Sequence, residues 1–184
     1  MPSFDKRWTL FLDRDGVINI EKTGGYILSW EEFRFEEGAV EALVRLSSLF
    51  GRIVVVTNQR GVGRGLMSKE DLEDIHLRMR AVIQQAGGRV DAVYACTDVT
   101  DDSFCRKPQV GMAYWARRDF PDIDFARSVM VGNSESDMRF GRALGMYTVW
   151  IASVHPFPSP GLADEVWPSL KAWAFSFEGG ESQP

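Results

Sequence analysis

The sequence predicts an α/β fold in three layers, a central parallel sheet with helices on both faces. Two observations predict it. Short apolar runs recur at 8–12, 53–56, 90–95, 128–131 and 147–151, and most close on glycine or a polar cluster. Between them lie stretches whose apolar residues fall at helical spacing, and strands alternating with helices argue a parallel sheet. A third observation sets the scale: 184 residues at 45% hydrophobic suit one domain with a real core.

The first run, Trp8 to Leu12, ends in Asp13 and Asp15 and then Gly16, and reads as a buried strand whose carboxyl end is a natural ligand position. Two carboxylates this close repel, and a divalent cation or a shared proton relieves them; the plain alternative is an Asp-Gly turn. Val17 to Trp30, with Gly24-Gly25, reads as a loop or flap. Val40, Leu43, Val44 and Leu46 mark a helix over Gly38 to Phe50, with Gly51 as its stop. Arg52 to Val56 is the second strand, followed by Thr57-Asn58-Gln59 and a glycine-rich loop from Arg60 to Gly65. Ser68 and Asp71 resemble a capping box that opens a long helix, carried by Leu72, Ile75, Leu77, Met79, Val82 and Ile83 to about Ala86.

Val90 to Ala95 is a third strand, and Cys96 to Pro108 is irregular, with Asp98, Asp101, Asp102, Arg106 and Lys107. A helix follows over Gly111 to Arg118. Ser128 to Val131 is the fourth strand, ending in Gly132 to Asp137; Met138 to Leu144 is helical, and Tyr147 to Ile151 is the fifth strand. His155 to Pro160 reads as a proline-rich loop, Pro168 to Phe175 as a last helix and Glu178 to Pro184 as a frayed tail, which places one domain over 1–176 and a tail over 177–184.

Composition excludes several classes. No apolar stretch approaches a membrane span and no signal pattern opens the chain, so a cytoplasmic protein with no membrane partner is expected. A net charge of -5 argues against a broad nucleic-acid footprint. Two cysteines rule out a disulfide framework and fit a reducing compartment. A monomer is expected.

Four predicted strand ends carry different polar chemistry: Asp13 and Asp15; Thr57-Asn58-Gln59; Arg106-Lys107; and Asn133 to Asp137. Carboxylates offer a nucleophile, an acid/base and oxygen ligands for a hard cation; hydroxyl and amide groups hold phosphate oxygens; lysine neutralises a phosphoryl group. Phosphoryl transfer needs little else. The spans between these clusters hold ordinary elements and leave no room for a large cap domain.

At FLDRDGVIN, VVVTNQRGVGRG, CRKPQVGM and VGNSESDM the sequence resembles the haloacid dehalogenase-like superfamily, and within it the histidinol-phosphate and heptose 1,7-bisphosphate phosphatase group. The resemblance implies a Rossmann-like domain without a large cap, and a Mg²⁺-dependent phosphatase of a small phosphorylated metabolite. A heptose bisphosphate is the first expectation and histidinol phosphate the second. It implies that Asp13 attacks phosphorus, Asp15 serves as acid/base and Lys107 stabilises the phosphoryl group. Thr57, Asn58 and Gln59 would bind substrate, with Arg64 and Arg106 suited to a second phosphate or the substrate's polar body. Asp13, Asp15, Asn133 and Asp137 would form the metal site.

Two departures from the group's pattern matter. Asn133 stands where the resembling enzymes carry an aspartate that ligates Mg²⁺, and an amide offers an oxygen but no charge. Asp137, or less readily Glu135, would restore charge; a catalytically silent phosphate-binding homologue is the alternative from another class, and a polynucleotide 3′-phosphatase a third, weakened by the acidic charge. The zinc loop of many group members is reduced here to Cys96, Asp98 and Cys105 without histidine, so zinc is expected to be absent. His76 and His155 are expected to be surface or packing residues, and the tryptophans and Met138 and Met146 to be packing.

Overall fold

The computed structural model describes residues 2–153, 155 and 161–177. The sheet is built from β1 (Thr9–Leu12), β2 (Arg52–Asn58), β3 (Ala92–Cys96), β4 (Ser128–Gly132), β5 (Tyr147–Ile151) and β6 (Glu165–Trp167). Its order is β3-β2-β1-β4-β5-β6, and every pairing is parallel. The helices are α1 (Ala39–Leu49), α2 (Arg60–Gly63), α3 (Lys69–Gln85), α4 (Gly111–Asp119), α5 (Glu135–Ala143) and α6 (Leu170–Phe175).

β1 explains why its sequence is apolar on both sides. It lies between β2 and β4, with Leu10 opposite Ile53 and Val129, and Phe11 opposite Val54 and Met130. Alternation sends Leu10 and Leu12 into one layer with residues of α1, α3 and α6, while Phe11 enters the other with Met112, Ala113 and Phe140 of α4 and α5. The strand order reverses at β1, because β2 leaves to one side and β4 to the other. In an open parallel sheet the crevice at the carboxyl ends beside such a reversal is where ligands bind. Asp13 at the end of β1 and Asn133 at the end of β4 therefore straddle it.

Several expected elements shift. β2 continues through Thr57 and Asn58, which pair with Ala95 and Cys96 of β3 and so are part of the ladder, not of a loop. The glycine-rich segment begins with one helical turn, α2, in which Gly61 is buried. α5 begins at Glu135, earlier than its apolar residues suggest, since Ser134 caps it in a full capping box with Asp137. The box at Ser68 and Asp71 forms as expected. β6 was missed: three residues at the sheet edge carry no apolar run, and only pairing with β5 defines them. The tail beyond 177 and residues 156–160 of the proline-rich loop lie outside the described residues.

The cysteine reading is corrected outright. Cys96 at the end of β3 and Cys105 are joined by a disulfide, their Cα atoms 5.4 Å apart, so the two cysteines no longer argue for a reducing compartment. Among the described residues no helix is long and apolar enough to cross a membrane.

α6 closes the layer behind β1. Trp173 is fully buried and meets Phe4, Phe50 and Phe177 at ring-centroid distances of 6.1, 6.1 and 5.2 Å. Trp173→Ala is expected to lower unfolding free energy by about 3–5 kcal/mol in urea titrations, as for other buried aromatic truncations.

Candidate active site

The site is organised by a buried ammonium group. Lys107 is 3% exposed, and its Nζ lies 2.9 Å from Asp13 Oδ1 and 2.6 Å from Asp137 Oδ1, and donates to the Val56 carbonyl at 2.8 Å. The two carboxylates face it as ion pairs, and the Val56 carbonyl accepts a hydrogen bond from it. Burial alone would lower the lysine's pKa, but the two carboxylates outweigh it and hold the group charged, above its ordinary value. The Lys107 main chain is held as well: Asn58 Oδ1 accepts from Lys107 N at 3.0 Å and Asn58 Nδ2 donates to Lys107 O at 3.2 Å. Asn58, expected to hold phosphate, clasps the backbone of the residue that would neutralise it.

Asp13 follows β1, its N–H donating to Val131 of β4 at 2.9 Å and its Oδ1 accepting from Arg14 N at 2.8 Å. Its carboxyl is pushed up to about 7, first by burial and then by the charge of Asp137, with Lys107 pulling the other way. Asp15 is its opposite. Burial pushes it up, but Arg14, Asn19 and Gln59 together hold it below the usual carboxylate range: Arg14 Nη2 and Asn19 Nδ2 donate to Oδ1 at 3.0 and 2.9 Å, and Gln59 Nε2 donates to Oδ2 at 2.8 Å. Gln59 Nε2 also donates to Thr57 Oγ1 at 2.8 Å, so this amide braces Asp15 and leaves the Thr57 hydroxyl proton for another acceptor.

Asp137, expected as a metal ligand, is fully buried. Its Oδ2 accepts from the main chains of Asn133 and Ser134, each at 3.1 Å, and from Ser134 Oγ at 2.7 Å, while Oδ1 faces Lys107. A Cβ on Gly132 would sit 2.3 Å from its side chain, so glycine there makes room for it. Glu135 points away, paired with Arg139 at 3.2 Å on an exposed face. Arg64 is exposed with its guanidinium 5.7 Å from the Tyr26 ring, and Arg106 lies 3.6 Å from Asp101, which also pairs with Arg60. Cys96 and Cys105, in their disulfide, lie with Asp98 so that the sulfurs and a carboxylate oxygen are within 4.8 Å of one another.

A cavity of about 210 Å³ opens over these groups, lined by Asp13, Asp15, Asn58, Lys107, Asn133 and Asp137, with Glu21, Tyr26 and His155 at its wall. A model of the polynucleotide kinase 3 phosphatase family matches residues 4–146. The chain belongs to this family of haloacid dehalogenase-like phosphatases. Its relatives within these phosphatases include a D-glycero-α-D-manno-heptose-1,7-bisphosphate 7-phosphatase of Mycobacterium bovis, 38% identical over 96% of this chain and 94% of that protein. The corresponding β-anomer phosphatase of Vibrio cholerae is 37% identical over 76% of this chain and 77% of its own. The structure of D,D-heptose 1,7-bisphosphate phosphatase from B. bronchiseptica, complexed with magnesium and phosphate, superposes with a TM-score of 0.82 at 30% identity, covering 92% of this chain and 97% of that one.

Sequence reasoning missed Arg14, Asn19, Glu21, Ser134 and His155. Arg14 is wholly buried, bonded to Asp15 and 3.1 Å from His76 Nε2 of α3. Because guanidinium only donates, that nitrogen must accept, which requires neutral imidazole. Burial first, and the Arg14 charge second, push the histidine down to about 3.

Two predictions follow from this geometry. Lys107→Met leaves two buried carboxylates unpaired and is expected to cost about 3–5 kcal/mol of stability, against about 0.5 kcal/mol or less for Arg64→Ala on the surface; urea unfolding of the two variants checks the contrast. His76 binds a proton in the unfolded chain below its ordinary pKa of 6.5 but in the folded chain only near 3. Its contribution is therefore present above 6.5 and is lost as pH falls toward 3, by about 1.4 kcal/mol per pH unit for one proton. Stability measured at pH 7.5, 6 and 5 should fall less steeply in His76→Gln, whose carbonyl can still accept from Arg14.

Proposed function

We propose that this phosphatase hydrolyses the 7-phosphate of a D-glycero-D-manno-heptose 1,7-bisphosphate in a Mg²⁺-dependent reaction through an aspartyl-phosphate on Asp13. The observation that carries the reading is Lys107, buried and bonded to Asp13 beneath an open cavity at the sheet's reversal point. Relatives at 31 to 38% identity that act on this bisphosphate support the substrate. Both anomers appear among their names, so the anomer is chosen by assay.

The donors fit a hard cation, because Asp13, the Asp15 carbonyl and the Asn133 amide offer only oxygen as ligand atoms. These three would hold Mg²⁺, with Asp137 behind them through Lys107. When bound it supplies positive charge to the phosphoryl oxygens and favours the ionised form of Asp13.

Asp13 attacks phosphorus, and the bond from phosphorus to the C7 oxygen breaks as Asp15 gives that oxygen a proton. The dianionic substrate raises Asp15 toward protonation, against the Arg14, Asn19 and Gln59 bonds that hold it low. Water then attacks the aspartyl-phosphate while the Asp15 carboxylate takes a proton from that water, and the bond from Asp13 to phosphorus breaks to release phosphate. Throughout, Lys107 faces the charge that accumulates on Asp13 and the phosphoryl group. Thr57 donates its free hydroxyl proton to a phosphoryl oxygen, and Asn58 serves by fixing Lys107. Arg64 and Arg106 are not among the residues that line the cavity; Arg64, against the Tyr26 ring at its wall, and Arg106 suit a 1-phosphate that extends beyond it.

Phosphate release from both anomers, histidinol phosphate and a 3′-phosphorylated oligonucleotide at millimolar Mg²⁺ tests the reading. Turnover of the bisphosphate is expected to dominate, and Asp13→Asn to lose at least about 10³-fold of it, because the nucleophile is gone. No turnover of any ester by the wild type would favour the silent homologue that Asn133 suggests.

A further inference from the structure

Glu21 has no part in the chemistry above, yet it reaches the cation side of the cavity. Its Oε2 accepts from Asn133 Nδ2 at 3.0 Å, across 112 residues of sequence, and lies 3.2 Å from His155 Nε2. The backbone has been cleared for this meeting. Gly16 sits at φ 78°, where glycine is favoured, and a Cβ there would fall 1.9 Å from Asn133 Nδ2 and 3.2 Å from Glu21 Oε2. Ser153 Oγ donates to the Gly16 carbonyl at 2.9 Å and holds that turn in place. Glu21, Asn133 and His155 line the same cavity as Asp13 and Asp15.

An amide has two ends of opposite use to a cation: its oxygen is a ligand and its NH₂ group is not. A carboxylate can only accept hydrogen bonds, so Glu21 captures the NH₂ end and leaves Asn133 Oδ1 as the free end. It also brings a negative charge to within one hydrogen bond of a residue that has none. Resting on the phosphatase reading, we infer that Glu21 is a positioning residue for the divalent cation, turning the Asn133 amide so that Oδ1 is the ligand and supplying from behind it the charge that the amide lacks. Loss of a group that orients a ligand in this way typically costs about 10–100-fold in metal affinity or activity.

The test is Mn²⁺ affinity of the purified full chain without substrate, read as free Mn²⁺ by electron paramagnetic resonance. Glu21→Gln keeps the shape but can present its own NH₂ group, and is expected to weaken Mn²⁺ binding tenfold or more, within the 10–100-fold range typical of such partners. Glu21→Ala, which only removes atoms, should do the same, and metal-free melting curves separate lost folding from lost affinity. In an Asn133→Asp background the ligand carries its own charge and has no NH₂ group to capture. There Glu21→Gln should leave affinity within twofold or tighten it, by removing a like charge.

Equal weakening in both backgrounds would mean a merely structural role and would overturn the inference. So would wild-type affinity in a folded Glu21→Gln that the wild type matches in turnover, and the phosphatase reading would then stand. A wild type that neither binds Mn²⁺ nor hydrolyses an ester removes both.

Discussion

The rest of the site depends on one interaction, the burial of the Lys107 ammonium against Asp13 and Asp137. Three charges out of water are costly, and their attraction offsets that cost only when the remaining hydrogen bonds are made. Most of them are made here: the Val56 carbonyl accepts from the lysine, and the main chain and hydroxyl at the start of α5 satisfy the far oxygen of Asp137, while its near oxygen has the ion pair with Lys107. The capping box that starts α5 is therefore also a strut of the site. One carboxylate closes a helix end with one oxygen and holds the lysine with the other.

A second cation divides the labour between the carboxylates of β1's end. Lys107 faces Asp13 but leaves it pushed up by burial and by Asp137, whereas Arg14, wholly buried, holds Asp15 ionised with help from Asn19 and Gln59. Residues of one type, two positions apart, thus acquire opposite tendencies from their surroundings. These tendencies are those of the site before cation and substrate bind, and they are the reverse of what the first step needs, an ionised nucleophile and a protonated acid, so the charges of the bound cation and phosphate have to exchange them. His76 meets the other end of the same guanidinium as a neutral acceptor, so a residue of α3 outside the cavity lining touches the group that holds Asp15.

The fold was legible where burial on both faces leaves an uninterrupted apolar run, as in β1, β2 and β4, and where a cap is written in local spacing, as at Ser68. β6 was not, because its definition lies in its pairing with β5 and not in its own residues. The same division holds at the site. Asp13, Asp15, Thr57 and Lys107 stand at strand ends or in a motif; the structure brings three of them to one cavity, with Thr57 buried and bonded to Gln59 of its lining. Asn58 lines the cavity, but its partner was not foreseeable, since the bracket on Lys107 spans 49 residues. Glu21 and His155 come from loops 134 residues apart, whose meeting leaves no periodic signal.

Lys107 stands outside every strand and helix, and a loop residue is a poor place for a group on which two buried charges depend. Two restraints answer this from opposite sides. Asn58, at the end of β2, grips both the N–H and the C=O of Lys107, and the bridge from Cys96 to Cys105 ties the same loop to the end of β3 two residues earlier. β2 and β3 are hydrogen-bonded neighbours, with Asn58 in register with Cys96. The two anchors are thus the two sides of one rung of the ladder, and the loop inherits the rigidity of the sheet at the point where the lysine must be held. That is why an irregular segment can carry the charge around which the cavity is built.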